Sequence, residues 1–201
     1  LLEHGADPGA PASDGVTPLH LALTSQEHAM ELLQALLSGA DERGLNVKDL
    51  VNVGDARGVT PLHFAGNRGL EAAASLLLDH GANVGAVDRE LGTGALHAAL
   101  SAGHVATVRR LLAAGADPNL AIKALDRDRP LHLAVATGVA ELVRLLLEHG
   151  ATPDLLDGPG RTPLHLAAKE GHDEAARALL DKGADAVAAQ PDGWTALHIA
   201  A

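Results

Sequence analysis

The sequence predicts an all-α solenoid, in which short helix pairs joined by turns stack in a single row. Three observations carry this. The first is a recurring tetrad, clearest as Thr162-Pro163-Leu164-His165 and repeated at Thr17-Pro18-Leu19-His20 and Thr60-Pro61-Leu62-His63. Weaker copies stand at Gly94-Ala95-Leu96-His97, Arg129-Pro130-Leu131-His132 and Thr195-Ala196-Leu197-His198, and the six histidines are spaced by 43, 34, 35, 33 and 33 residues. A period in this range marks an array of stacked supersecondary units. The second is a pair of glycines that falls 6 and 18 residues after the histidines at 63, 97, 132 and 165, so that helix length is fixed and only the connections vary. The third is composition: 47% hydrophobic residues with 1% aromatic requires a core of Leu, Ala and Val, which suits thin helices in layers.

Each tetrad starts a helix by local chemistry. Threonine is suited to cap the first exposed N–H groups, and proline tolerates the first helical position because its missing N–H is not needed there. Leu1 to His4 read as the end of a helix, since Leu146-Leu147-Glu148-His149-Gly150-Ala151 repeats the same string, and Asp7 to Val16 read as a Gly- and Pro-rich turn or hairpin. Five complete helix pairs are then expected at about 16–38, 60–80, 94–114, 129–149 and 162–182, with partial repeats at 1–4 and 195–201. Residues 41–50 are read as an insertion loop, a bland connection or a dedicated contact loop, of the kind surface connections tolerate at small entropic cost. The glycines at 69, 81, 103, 115, 138, 150, 171 and 183 mark helix ends, where a left-handed backbone suits glycine. Two connections deviate: 88–92 has one extra residue, and 120–129 has two while lacking the usual Gly and Thr. Leu197 and Ile199 stand in a helix with no second helix to cover them, so the chain is expected to be part of a longer array.

On these motifs, above all Gly160 to His172 and Leu179 to Asp185, the chain resembles the ankyrin-repeat family over essentially its whole length. The resemblance implies right-angled, L-shaped repeats of two antiparallel helices with short β-hairpin or loop fingers, in a curved array. It also implies that each tetrad imidazole ties neighbouring fingers together. Family members bind proteins through the finger tips and the concave face of the first helices, and generally perform no chemistry.

Composition and motif searching point the same way. A net charge of −11 makes the chain a poor holder of nucleic acid by phosphate attraction. Lack of cysteine rules out a disulfide frame and thiolate metal sites and suits a reducing compartment. No apolar run reaches the roughly 20 residues of a membrane helix. The expectation is a cytoplasmic module, with the nucleus left open, monomeric within a longer chain.

Twelve histidines raise the question of metal binding or catalysis, but six belong to the tetrad and most others sit at repeat-defined helix ends; only His28 has no repeat role. No His-Glu-x-x-His spacing is present for zinc, Asp126-Arg127-Asp128 lacks the Gly and Glu of a calcium loop, and Gly92-Thr93-Gly94 is too short to cradle a phosphate. Ser13 and Ser101 lack a nucleophile-elbow context. No catalytic residue, cofactor or metal is expected.

Repeat register instead selects the finger tips, the residue before each tetrad, and those 4 and 5 after each histidine. These and adjacent positions carry Arg57, Arg68, Arg89, Arg127, Arg129, Arg161 and Lys169, and Trp194 projects from a finger as a candidate anchor. Asp55, Asp88 and Asp157 are assigned to their own turns. The expected function is a non-enzymatic scaffold for a protein partner; the alternative is a targeting or autoinhibitory region of a larger enzyme, of kinase or ubiquitin ligase type.

Overall fold

A computed structural model describes residues 6–25, 27–123 and 129–201. The expected fragment at 1–4 and Arg127 lie outside the described residues. The helices pair along the chain as α1 (Pro18–Ala22) with α2 (Ala29–Asp41), α4 (Pro61–Arg68) with α5 (Glu71–Asp79), and α6 (Ala95–Ser101) with α7 (Val105–Ala113). They continue as α8 (Pro130–Ala136) with α9 (Ala140–Glu148) and α10 (Pro163–Glu170) with α11 (Asp173–Asp181), followed by α12 (Ala196–Ala200). First helices pack in one row, α4 on α6, α6 on α8, α8 on α10 and α10 on α12; second helices form another, α5 on α7, α7 on α9 and α9 on α11. One continuous Leu, Ala and Val core runs between the rows. Among the described residues there is no strand, only the isolated bridges Val87–Gly94 and Ala189–Thr195 within fingers.

The tetrad histidine builds both the helix start and the bond between layers. The Nδ1 atoms of His20, His63, His97 and His165 accept the backbone N–H of the cap residue three positions earlier, at 3.1, 3.1, 3.0 and 3.1 Å. This is the reciprocal arm of a capping box, with imidazole in place of the usual carboxylate. Because Nδ1 accepts, Nε2 carries the proton, and it donates to a carbonyl of the next finger. The acceptors are Val59 (2.9 Å), Thr93 (3.0 Å), Leu120 (2.8 Å), Arg161 (3.0 Å) and Trp194 (3.1 Å) for His20, His63, His97, His132 and His165 in turn. In four of the five the acceptor directly precedes the next helix cap. His97 instead reaches Leu120, nine residues before Arg129, so the irregular connection keeps the bond with a different segment.

The insertion departs from the loop expected at 41–50. Gly39 stays helical, and α2 continues to Asp41 because Ala40 is fully buried and holds one more half-turn against the core. The helix closes at Gly44, whose φ of 67° permits the bonds Gly44 N–H to Asp41 carbonyl (2.9 Å) and Leu45 N–H to Ala40 carbonyl (3.0 Å). A single turn, α3 (Val47–Leu50), follows and lays Val47 and Leu50 on the core.

Gly66 decides how closely two layers approach. A Cβ there would lie 2.6 Å from the Ala95 carbonyl oxygen, which is backbone and cannot swing aside. The same register holds Leu23, Leu100, Val135 and Ala168 in the other repeats, so alanine looks like a harmless change. Its helix propensity would favour Gly66→Ala by about 1 kcal/mol, but the overlap costs about 1–3 kcal/mol. We therefore expect Gly66→Ala to lower the urea midpoint; an unchanged or raised midpoint would show that α4 and α6 separate without cost.

Candidate partner-binding face

The fingers are held by buried aspartates. Asp55 accepts the N–H groups of Arg57 and Val59, both at 2.9 Å. Asp88 accepts those of Glu90 (2.9 Å), Leu91 (2.7 Å) and Thr93 (2.7 Å) as well as the Thr93 hydroxyl. Burial alone would raise the Asp88 pKa, but the Thr93 hydroxyl and the N–H groups of Leu91, Thr93 and Glu90 outweigh it and hold the carboxyl at about 2. Asp157 accepts the Arg161 N–H and its Nε, both at 2.7 Å. Adjacent fingers are chained by backbone bonds from Ala56 to Asp14 (2.8 Å), Arg89 to Arg57 (2.8 Å) and Lys123 to Leu91 (2.7 Å). These bonds join the Asp14, Asp55–Arg57, Asp88–Leu91 and Lys123 segments of successive fingers edge to edge beside the inner helices.

The structure separates the register-selected side chains into two groups. Arg161 is pinned to Asp157, with its side chain only 30% exposed. Arg129 is half-buried and donates to the Asn119 carbonyl at 2.9 Å, which ties it to the irregular connection. Arg89 lays its stem over Gly58 and donates to the Ala56 carbonyl at 3.1 Å. Trp194 is half exposed, its ring tilted against His198 at 6.1 Å. Lys169 sits beside Glu170 at 3.6 Å on α10, apart from the finger edge. Arg57 and Arg68 are brought together: both line an open depression of about 370 Å³ between α4, α6 and the fingers that precede them.

The remaining walls of that depression were not among the residues selected from sequence. Phe64 is only partly buried; its ring meets the His20 ring edge-on at 5.4 Å and its outer side forms an apolar wall with Val59 and Ala98. The available signal is position: the residue after each tetrad histidine is nowhere fully buried, being half-buried at Phe64, Ala98, Leu133, Leu166 and Ile199 and 58% exposed at Leu21. Asn67, four residues after His63, stands on the same register as Arg68 but carries no charge. His63 also lines the wall, but burial pushes its pKa down against the opposing pull of the Thr93 carbonyl, Asp88 and Asp55, so it contributes a neutral ring. The cations of the depression are therefore the two arginines.

Elsewhere, arginines on the outer row are occupied. Arg109 pairs with Glu141 (2.7 Å), Arg144 with Glu174 (2.9 Å), and Arg110 with Asp79 (3.0 Å) and the Ser75 hydroxyl (2.9 Å). Among the described residues, no group of three or more His, Cys, Asp or Glu is placed to hold a metal, and no helix is long and apolar enough to cross a membrane. The Asp126–Asp128 segment considered for calcium lies outside the described residues.

A family model for ankyrin repeats, in three copies, matches residues 28–122 and 131–201. The B-cell lymphoma 3 protein homolog of Mus musculus is 35% identical over 119 residues, covering 59% of this chain and 25% of that protein. The ankyrin repeat and SOCS box protein 16 of Mus musculus is 39% identical over 129 residues, covering 60% and 26%. The putative palmitoyltransferase ZDHHC13 of Danio rerio is 32% identical over 121 residues, covering 60% and 17%. The chain thus spans about a quarter or less of the length of these relatives.

Proposed function

Because the chain belongs to the ankyrin-repeat family, whose members are protein-interaction modules and generally not enzymes, we propose that it is a non-catalytic, intracellular scaffold unit that seats a protein partner along its finger tips and inner helices. One contrast supports this reading. Outer-row arginines are consumed by intramolecular carboxylates at 2.7–3.0 Å, whereas on the inner face Arg68 pairs with none and Arg57 only loosely with Asp55 at 3.6 Å, both beside partly exposed Phe64. Arginine next to an aromatic ring on a fixed surface is the composition of an interface centre. Affinity capture with the chain, followed by mass spectrometry, tests it: a partner retained by the natural chain is expected to be lost from Arg57→Glu/Arg68→Glu. Equal retention by both would place binding elsewhere, and retention of nothing would remove the reading.

A second reading, that the chain is a targeting or autoinhibitory region within a larger enzyme, draws on the match to 17% of a protein named a putative palmitoyltransferase. Capture of the enzyme's own catalytic domain or its substrate would favour it.

A further inference from the structure

We propose that the depression between α4 and α6 recognises a carboxylate side chain flanked by an apolar residue on an extended acidic peptide, with Arg68 forming the ion pair and Phe64 the apolar wall. The inference rests on the partner-binding reading above and narrows it to a ligand class. Charge argues first. The chain carries a net charge of −11, yet among the described residues no acidic side chain lines this depression, and two guanidiniums do.

Availability argues next. Among the described residues, Arg68 is the one arginine whose guanidinium makes no hydrogen bond or ion pair within the molecule, and the Asn67 carboxamide likewise has none. Arg57 is engaged loosely with Asp55 at 3.6 Å and its side chain remains 62% exposed. A carboxylate entering beside Phe64 would therefore meet a planar fork with all its donors unspent, an amide donor, and a second cation shared with Asp55. The backing is fixed: the Arg57 carbonyl accepts the Arg89 N–H, and the Asn67 carbonyl accepts His104 Nε2 at 3.1 Å. Apolar surface from Phe64, Val59 and Ala98 lies next to the cations, so the complementary ligand is amphipathic and not a free small anion.

The test is selection of phage-displayed random peptides on the 201-residue chain, followed by fluorescence anisotropy of the enriched sequences. Enrichment of Asp or Glu next to an apolar residue is expected. Changing that acid to its amide is expected to weaken binding roughly tenfold, as is Arg68→Gln, and the two changes together are expected to be little worse than either alone. Arg68→Gln is expected to leave the melting temperature unchanged, since Arg68 is exposed and bonds to nothing, so a folding defect will not mimic the result. Enriched peptides without an acid, or binding indifferent to Arg68→Gln, would overturn the carboxylate site while leaving a binding module. Failure to enrich any peptide would also overturn it, and the partner-binding reading would then stand or fall on affinity capture alone.

Discussion

Replacing His97 by leucine is expected to destabilise the protein by about 2–5 kcal/mol, because it strands two buried backbone groups at once. His97 is 2% exposed; its Nδ1 accepts the Gly94 N–H at 3.0 Å and its Nε2 donates to the Leu120 carbonyl at 2.8 Å. Leucine fills the space and satisfies neither. At about 2–4 °C per kcal/mol for a domain of this size, the melting temperature is expected to fall by roughly 10 °C. Two further variants divide the loss. His97→Asn places an acceptor near Nδ1 and keeps the helix start, whereas His97→Gln places a donor near Nε2 and keeps the tie to the next layer. The repeats also supply a control: His198 caps its helix with the same Nδ1 contact, at 3.3 Å, but is exposed and makes no described bond to another layer. His198→Leu is therefore expected to cost about 1 kcal/mol or less. Equal losses at positions 97 and 198 would mean that the tie between layers contributes nothing.

That pair of positions also shows how far the sequence could be read. The periodic histidine and the glycines at fixed offsets made the layers legible, because both report backbone geometry that each layer must share with the next. Gly69, Gly81, Gly103, Gly115, Gly138, Gly150, Gly171 and Gly183 all adopt positive φ, between 68° and 90°. The partner of His97 was not legible, since nothing local distinguishes the Leu120 carbonyl from its neighbours until the chain has folded back across α6. The insertion was opaque for a related reason. It has no period, and whether Gly39 ends α2 or is carried through it depends on burial of Ala40, a tertiary contact that overrides glycine's local preference.

The candidate site was half legible on the same grounds. Register places a Cα on the inner face, and it did so for Arg57, Arg68, Arg129 and Arg161 alike. It does not say where a long guanidinium stem will settle, and three of these four settle on their own chain: Arg161 on Asp157, Arg129 on the Asn119 carbonyl and Arg57, loosely, on Asp55. Phe64 was not legible as a wall of the site because an apolar residue next to the tetrad histidine looks the same in sequence whether it is covered or partly open, and its ring both packs on the core and faces the depression.

Acid is expected to weaken the protein in two steps, and the direction of each follows from which state binds the proton more readily. Burial lowers the pKa values of His20, His63 and His97 below 6.5; the carbonyls they face, and Asp14, Asp55, Asp88 and Asp117 around them, offset this only in part. The unfolded chain therefore takes up these protons first. Stability is expected to be level above about pH 7.5, where both states are neutral, and to fall as pH drops through 6.5 towards the depressed folded values. Three protons set a ceiling on the slope of about 4 kcal/mol per pH unit. The structural reason is specific: a protonated Nδ1 would point a donor at the N–H of Thr17, Thr60 or Gly94, turning each cap bond into a clash of like groups. Asp88 supplies the second step with the same sign. Its folded value of about 2 against an ordinary 3.8 gives a contribution of about 2 kcal/mol that is present above pH 3.8 and is lost as pH falls through 2. Urea unfolding followed by circular dichroism from pH 8 to pH 5 measures the first step, and acid titration of the natural chain beside Asp88→Asn measures the second. A midpoint that stays level down to pH 5 would mean that the imidazoles titrate as they do in water, and that their bonds to the next layer survive protonation.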